Sequence, residues 1–222
     1  LIYQNQPGAL NEAIADIFGE SVEAFENNGV PDWKLGTLLN SPLRDMRNPG
    51  SLEIGQGRPY PSRMSDFIPP NDPFLDNLQG RDNGGVQLNS SIINHAFYQL
   101  AEGLPESVGL PAAEQIFYRA VTTKLQKQSQ FLDCRIACIQ SAEELFGVGS
   151  TEARQTAEAF NTVEIFDQTL PTEPTPIPSV TGEDSTLFTF VSPIDGLTYL
   201  ARREAAQQDD STGILLVETP IA

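Results

Sequence analysis

The stretch GALNEAIADIFGESVEAFENNG, residues 8–29, decides the fold. At about 100° per residue, Leu10, Ala13, Ile14, Ile17, Phe18 and Phe25 share one face of a helix over residues 8–27. Glu12, Asp16, Glu20 and Glu23 form a stripe on the opposite side. On spacing alone that stripe reads as a solvated face. Asn27, Asn28 and Gly29 stop the helix, and Pro31 follows.

Outward from this helix the pattern changes twice. Residues 30–82 are rich in Gly and Pro, with 13 of the 34, and show little periodicity. The stretch is too long for a simple linker, so it is expected to pack. From residue 86, VQLNSSIINHAFYQLAEGL reads as a helix closed by Gly103 and Pro105. PAAEQIFYRAVTTKL follows, with Pro111 in its first turn, then FLDCRIACIQSAEELFG ending at Gly147. Ser150 is placed to N-cap STEARQTAEAFNTVEIF. Four or five helices with short connections predict a mainly α domain over residues 1–167. Four prolines then mark 168–182 as an extended linker. Within 183–222, LFTFVSP, GLTYLARRE and GILLVETPIA read as short strands, with a turn at Asp195 and Gly196 between the first two. This part is expected to be a short, incomplete β-rich extension. Leu1 is not Met, and the chain ends on a strand-like run, so both ends are read as truncations.

The 222 residues contain 13 Lys and Arg against 30 Asp and Glu, a net charge of −17. That disfavours nucleic acid and anionic membrane as partners, since both attract a basic face. No apolar run approaches the ~18 residues that span a bilayer. His95 is the one histidine, so no two-histidine zinc site is built from this chain alone. Eight residues on from Gln87, it is expected to be a structural or surface residue. Cys134 and Cys138, at helical spacing, are expected to be free core thiols.

Several short segments, taken in order, go further. They are GALNEAIADIFG at 8–19, PDW at 31–33, LRDM at 43–46, DNGGVQLNSSIIN at 82–94, FYRA at 117–120, CIQSAEELFGVGSTE at 138–152 and AFNTV at 159–163. Together they resemble the C-terminal half of the thermolysin-like neutral zinc metallopeptidases, over residues 1 to about 166. The resemblance implies a multi-helix domain of a secreted, extracellular endopeptidase that hydrolyses internal peptide bonds with a zinc-bound water. The family's two zinc histidines and general-base glutamate lie on an H-E-x-x-H helix upstream of the segment matching LIYQN.

The resemblance also implies roles, position by position. Glu12 matches the third zinc ligand; the His₂Glu set is a thermolysin example in general zinc chemistry. Asp16 matches a carboxylate that accepts from a zinc histidine. Tyr3 matches a phenol that holds the oxyanion, and Asp82 a carboxylate that orients a catalytic histidine. Arg44 and Asn11 match substrate-binding groups. Leu35 and Leu43 match the apolar pocket for the residue after the scissile bond. Glu23 and Asp32 match calcium ligands, but Lys34 and Thr37 stand where a further acidic ligand is expected, so a weakened or single-ion site is expected. Glu20 is expected at the surface.

One position departs from the family. The pattern DNGGVH reads DNGGVQ here, with Gln87 where the imidazole stands. An amide donates only a neutral hydrogen bond to an oxyanion. Two readings follow. The chain belongs to a peptidase whose partners are a protein or peptide substrate and the missing N-terminal half, and it is inactive alone. The alternative is a non-catalytic relative that binds peptide or a partner protein in the retained cleft. A weaker third reading makes the helical part a scaffold for the β extension.

Overall fold

The computed structural model describes residues 1–37, 39 and 41–166 in full, and the backbone of 185–191, 198–204 and 214–215. It separates into two units, Leu1–Phe166 and Asp167–Ala222. The linker read over 168–182 and the turn at Asp195 and Gly196 lie outside the described residues.

In the first unit, helix α1 (Asn5–Glu26) is central. Leu10, Ala13 and Ile17 are fully buried, as their spacing requires. Phe25 departs from the expected core face: it is 81% exposed. In the same turn Ala24 is fully buried, so the packed face of α1 turns away from Phe25 at its end. Asn28 and Gly29 take positive φ, and the Gly29 N–H closes on the Ala24 carbonyl, ending the helix where the sequence indicates.

Against α1 packs α2 (Asp82–Tyr98), continued by a π-helical turn, Gln99–Gly103. The remaining helices are α3 (Leu110–Thr123), α4 (Phe131–Phe146) and α5 (Thr151–Thr162). Ser150 caps α5 by accepting from the Ala153 N–H. A run of rings crosses the core: Trp33 to Phe97 of α2, Phe97 to Phe117 of α3, and Phe117 stacked on Phe160 of α5. Cys134 and Cys138 are buried free thiols of α4. On the same helix Arg135 donates to the Ala157 and Ile165 carbonyls and to Asn161, clamping the C-terminal end of α5. Among the described residues, no helix is long and apolar enough to cross a membrane.

The aperiodic stretch between α1 and α2 is packed. It carries two short antiparallel pairs: β1 (Lys34–Leu35) with β2 (Arg44–Asp45), and β3 (Glu53–Gly55) with β4 (Arg58–Pro59). Trp33, Met46, Ile68 and Leu75 are each fully buried. One of its ties to α2 is the Asn89 amide. The Asn89 Oδ1 accepts from the Ile68 N–H and the Asn89 Nδ2 donates to the Ile68 carbonyl, each at 2.9 Å. The side chain thus pairs an irregular backbone that no strand satisfies. In the second unit β5 (Ser185–Val191), β6 (Thr198–Glu204) and β7 (Ile214–Leu215) form one antiparallel sheet in that order.

Asn89 is buried, so Asn89→Ala strands one donor and one acceptor at Ile68. The expected loss is about 2–5 kcal/mol of unfolding free energy, read as a lower urea midpoint. An unchanged midpoint means that the amide does not anchor the stretch.

Candidate active site

Two helices and one hairpin meet at the site. Glu12 and Asp16 lie one turn apart on α1 and project to the same side. Tyr3 precedes the helix and reaches over its first turns. Its phenol donates to the Glu12 Oε1 at 2.6 Å. Both groups face solvent, Tyr3 at 43% exposure. Glu12, accepting from the phenol, raises the Tyr3 pKa, burial adds to this, and the nearby Gln87 side chain opposes it.

One turn deeper the chemistry is buried. Asp16 is 7% exposed. Arg44 of β2 grips it with both arms of its fork, Nε to Oδ2 at 2.6 Å and Nη2 to Oδ1 at 2.7 Å. Asn94 of α2 adds a third donor, Nδ2 to Oδ2 at 2.7 Å. Burial raises the Asp16 pKa, while Arg44 and Asn94 pull it back. With three donors on it, the carboxylate is the charged partner of Arg44.

The third part is the start of α2. Six successive residues, Gly80 to Gly85, have positive φ, a left-handed turn that runs into a right-handed helix at Val86. Gly84, at φ 88°, has no room for a side chain, because a Cβ there collides with the Asn5 side chain. Arg81, Asp82 and Asn83 bear the strain of this conformation with side chains. Asp82 offsets part of it: its Oδ2 accepts from the backbone N–H groups of Gln87 at 3.0 Å and Leu88 at 3.3 Å. Asp82 therefore caps the helix. Burial raises its pKa and these two bonds lower it.

Residues 1–165 match the thermolysin metallopeptidase α-helical domain. The thermostable neutral protease NprT of Geobacillus stearothermophilus is 36% identical over 178 residues, covering 75% of this chain and 30% of that protein. The neutral protease NprE of Bacillus pumilus is 38% identical over 166 residues, covering 73% of this chain and 48% of the relative. The solved structure of the precursor of protealysin, a metalloproteinase from Serratia proteamaculans, superposes with a TM-score of 0.61 at 30% identity. It matches 75% of this chain, which covers 52% of that one. The chain belongs to the thermolysin metallopeptidase family.

The geometry sorts the residues that the family resemblance singled out. Tyr3, Glu12, Asp16, Arg44, Asp82 and Gln87 form one connected polar cluster, linked by hydrogen bonds or by charge. Asn11 is exposed beside Glu12 on α1. Leu35 pairs with Arg44 in the β1–β2 register, and the Leu43 N–H bonds to the Leu35 carbonyl, so the two leucines flank Arg44. Leu43 is 53% exposed, an open apolar edge. Two members were not foreseen. Asn94 lies in the quoted SSIIN segment without an assigned role. Tyr60, half-buried beside Arg44, Asp16 and Asp82, sits in the aperiodic stretch where spacing carries no signal. His95 is structural: its Nδ1 bonds to the Met46 carbonyl at 2.9 Å and its ring stacks on Tyr98.

The acidic stripe needs correction at Glu20. It is fully buried, not a surface residue. Its Oε1 accepts from the Trp33 N–H at 2.8 Å, and its Oε2 has no partner. The loop after α1 folds back over this side of the helix, so the stripe is only partly solvated. Burial pushes the Glu20 pKa up to about 7, with help from Asp32 and Glu23. Those two expected calcium ligands are exposed, and the Asp32 Oδ1 already holds the Lys34 N–H at 2.7 Å. Calcium needs six to eight oxygens. Among the described residues no three acidic, Cys or His side chains converge to hold an ion. These residues alone do not fit a calcium site.

Glu20 has a pH signature. Its folded pKa is raised from 4.5 to about 7, so folded and unfolded chains are both protonated below that range. Between the two values only the unfolded chain releases its proton, so stability falls as pH rises and levels off above about 7. Glu20→Gln is expected to match the parent near pH 4.5 and to exceed it at pH 8.5 by on the order of 3 kcal/mol. Parallel stability curves for the two proteins exclude this.

Proposed function

We propose that this chain supplies the C-terminal half of the catalytic cleft in a secreted zinc endopeptidase. The chain spans 30% of the length of the relative NprT, so the activity belongs to a longer protein. The proposal also divides the chain into the peptidase domain, 1–167, a linker, 168–182, and a β extension, 183–222. The observation that carries the reading is the exposed Tyr3–Glu12 hydrogen bond, set above the buried Asp16–Arg44 pair. Exposed polar groups held in fixed geometry add little stability, so this arrangement is better suited to a ligand than to the core.

Zinc fits Glu12 as one ligand of several. Its Oε1 takes the Tyr3 proton, and its Oε2 makes no hydrogen bond within the described residues. Bound zinc supplies a Lewis acid for peptide hydrolysis. The other ligands and the general base come from outside this chain. Asp16 holds three donors and has lone-pair capacity for about one more, enough to orient a ligand histidine. Arg44 keeps Nη1 for a substrate carbonyl, with its Nε and Nη2 committed to Asp16. Leu35 and Leu43 offer the apolar edge beside it. The chemistry directs the site to a peptide with a bulky apolar residue next to the cleaved bond. Tyr3 donates to the oxygen that gains charge as water attacks.

A second reading has its own support. Asp16 and Asp82 both have structural work, pairing Arg44 and capping α2, so their presence does not by itself require catalysis. A non-catalytic relative that binds peptide keeps both. Gln87→His in the full-length protein separates the two. The enzyme reading predicts a gain of about 10²-fold in cleavage of an internally quenched peptide, while the 222-residue chain alone cleaves nothing. No gain, with peptide binding intact, supports the binding reading.

A further inference from the structure

We propose that Asn94 is a positioning residue for the zinc end of the site: it closes the Asp16 Oδ2 and leaves the Asp16 Oδ1 as the one acceptor that meets the N–H of a zinc-ligating histidine. The inference rests on the peptidase reading and deepens it. The count of donors carries it. Arg44 alone treats the two carboxylate oxygens alike, with Nε on Oδ2 at 2.6 Å and Nη2 on Oδ1 at 2.7 Å. One further lone pair then stands open on each oxygen, and an incoming N–H could take either. Asn94 breaks that symmetry, since its Nδ2 donates to the Asp16 Oδ2 at 2.7 Å. Oδ2 then holds two donors and Oδ1 holds one.

The bond to Asp16 is the polar work of the Asn94 side chain. Asn94 is 1% exposed, and its own Oδ1 is buried without a partner among the described residues. The other buried amide of α2 uses both ends, since Asn89 pairs the N–H and the carbonyl of Ile68. A flipped Asn94 sets its carbonyl against the carboxylate, acceptor facing acceptor, so the donor end is fixed on Asp16. A buried amide with one end unpaired is poor material for a core. What it supplies here is a donor at one oxygen of one carboxylate. The same bond helps to keep Asp16 ionised against its burial, the form in which it accepts. A histidine that meets a single fixed oxygen has one tautomer and one ring orientation, which is what a metal ligand needs.

The test uses the full-length zinc protein and reads zinc binding rather than activity. Asn94→Leu roughly keeps the volume of the side chain and removes the donor. Its zinc dissociation constant, measured by chelator competition, is expected to rise about 10-fold over the parent's. Asn89→Ala is the control. It deletes a buried amide of the same helix whose bonds go to Ile68, and its zinc affinity should stay at the parent's value. Equal affinities in the parent and Asn94→Leu, or equal losses in the two variants, overturn the proposal and leave the peptidase reading standing. A parent that binds no zinc brings down both. A crystal structure of the parent with zinc bound tests the assignment even where Asn94→Leu does not fold. The expected result is a ligand-histidine nitrogen within hydrogen-bond distance of the Asp16 Oδ1. A contact to Oδ2, or to neither oxygen, overturns it.

Discussion

The buried carboxylate of Asp16 ties together three parts of the chain. It lies on α1, its guanidinium partner on β2, and its amide partner on α2. A carboxylate moved out of water loses several kcal/mol of hydration unless it is compensated. That cost makes the geometry narrow, because each donor must arrive at once and in line. Arg44 arrives only if the 33–46 hairpin folds back along α1, and Asn94 only if α2 lies against the same face. The rest of the site inherits this registration. Glu12 sits one turn above Asp16, Leu35 and Leu43 flank Arg44, and Gln87 lies two turns from Asn94 on the same helix.

The helices were legible because each must bury a stripe. Their caps and stops, such as Asn27 to Gly29 and Ser150, are local chemistry that sequence states directly. What sequence periodicity could not show is which stripe of α1 meets protein on its second side. Glu20 and Asp16 read as solvated by spacing, yet a loop with no period of its own covers them. Its anchors are single events: the Trp33 N–H on Glu20, and the Asn89 amide on Ile68. Neither leaves a repeating trace. Phe25 erred the other way: it is exposed beside the fully buried Ala24. Motif resemblance supplied most of the site, and motif resemblance names functional groups rather than their supports. Asn94 acts as such a support, and it went unassigned.

The buried and exposed halves of the site carry different weight as signs of function. Asp16, Arg44 and Asp82 are bound into the fold, and removing any of them leaves a desolvated partner behind. A protein that had abandoned catalysis still loses stability by losing them. Tyr3, Glu12 and Gln87 are under no such constraint. The Tyr3–Glu12 hydrogen bond competes with water and contributes little to folding, and α2 needs no particular side chain at position 87 for its cap, which Asp82 makes through backbone N–H groups. The exposed trio is therefore where chemistry and folding come apart. A surface phenol held by one carboxylate gives the fold almost nothing. Its value lies with whatever oxygen that phenol is turned to meet.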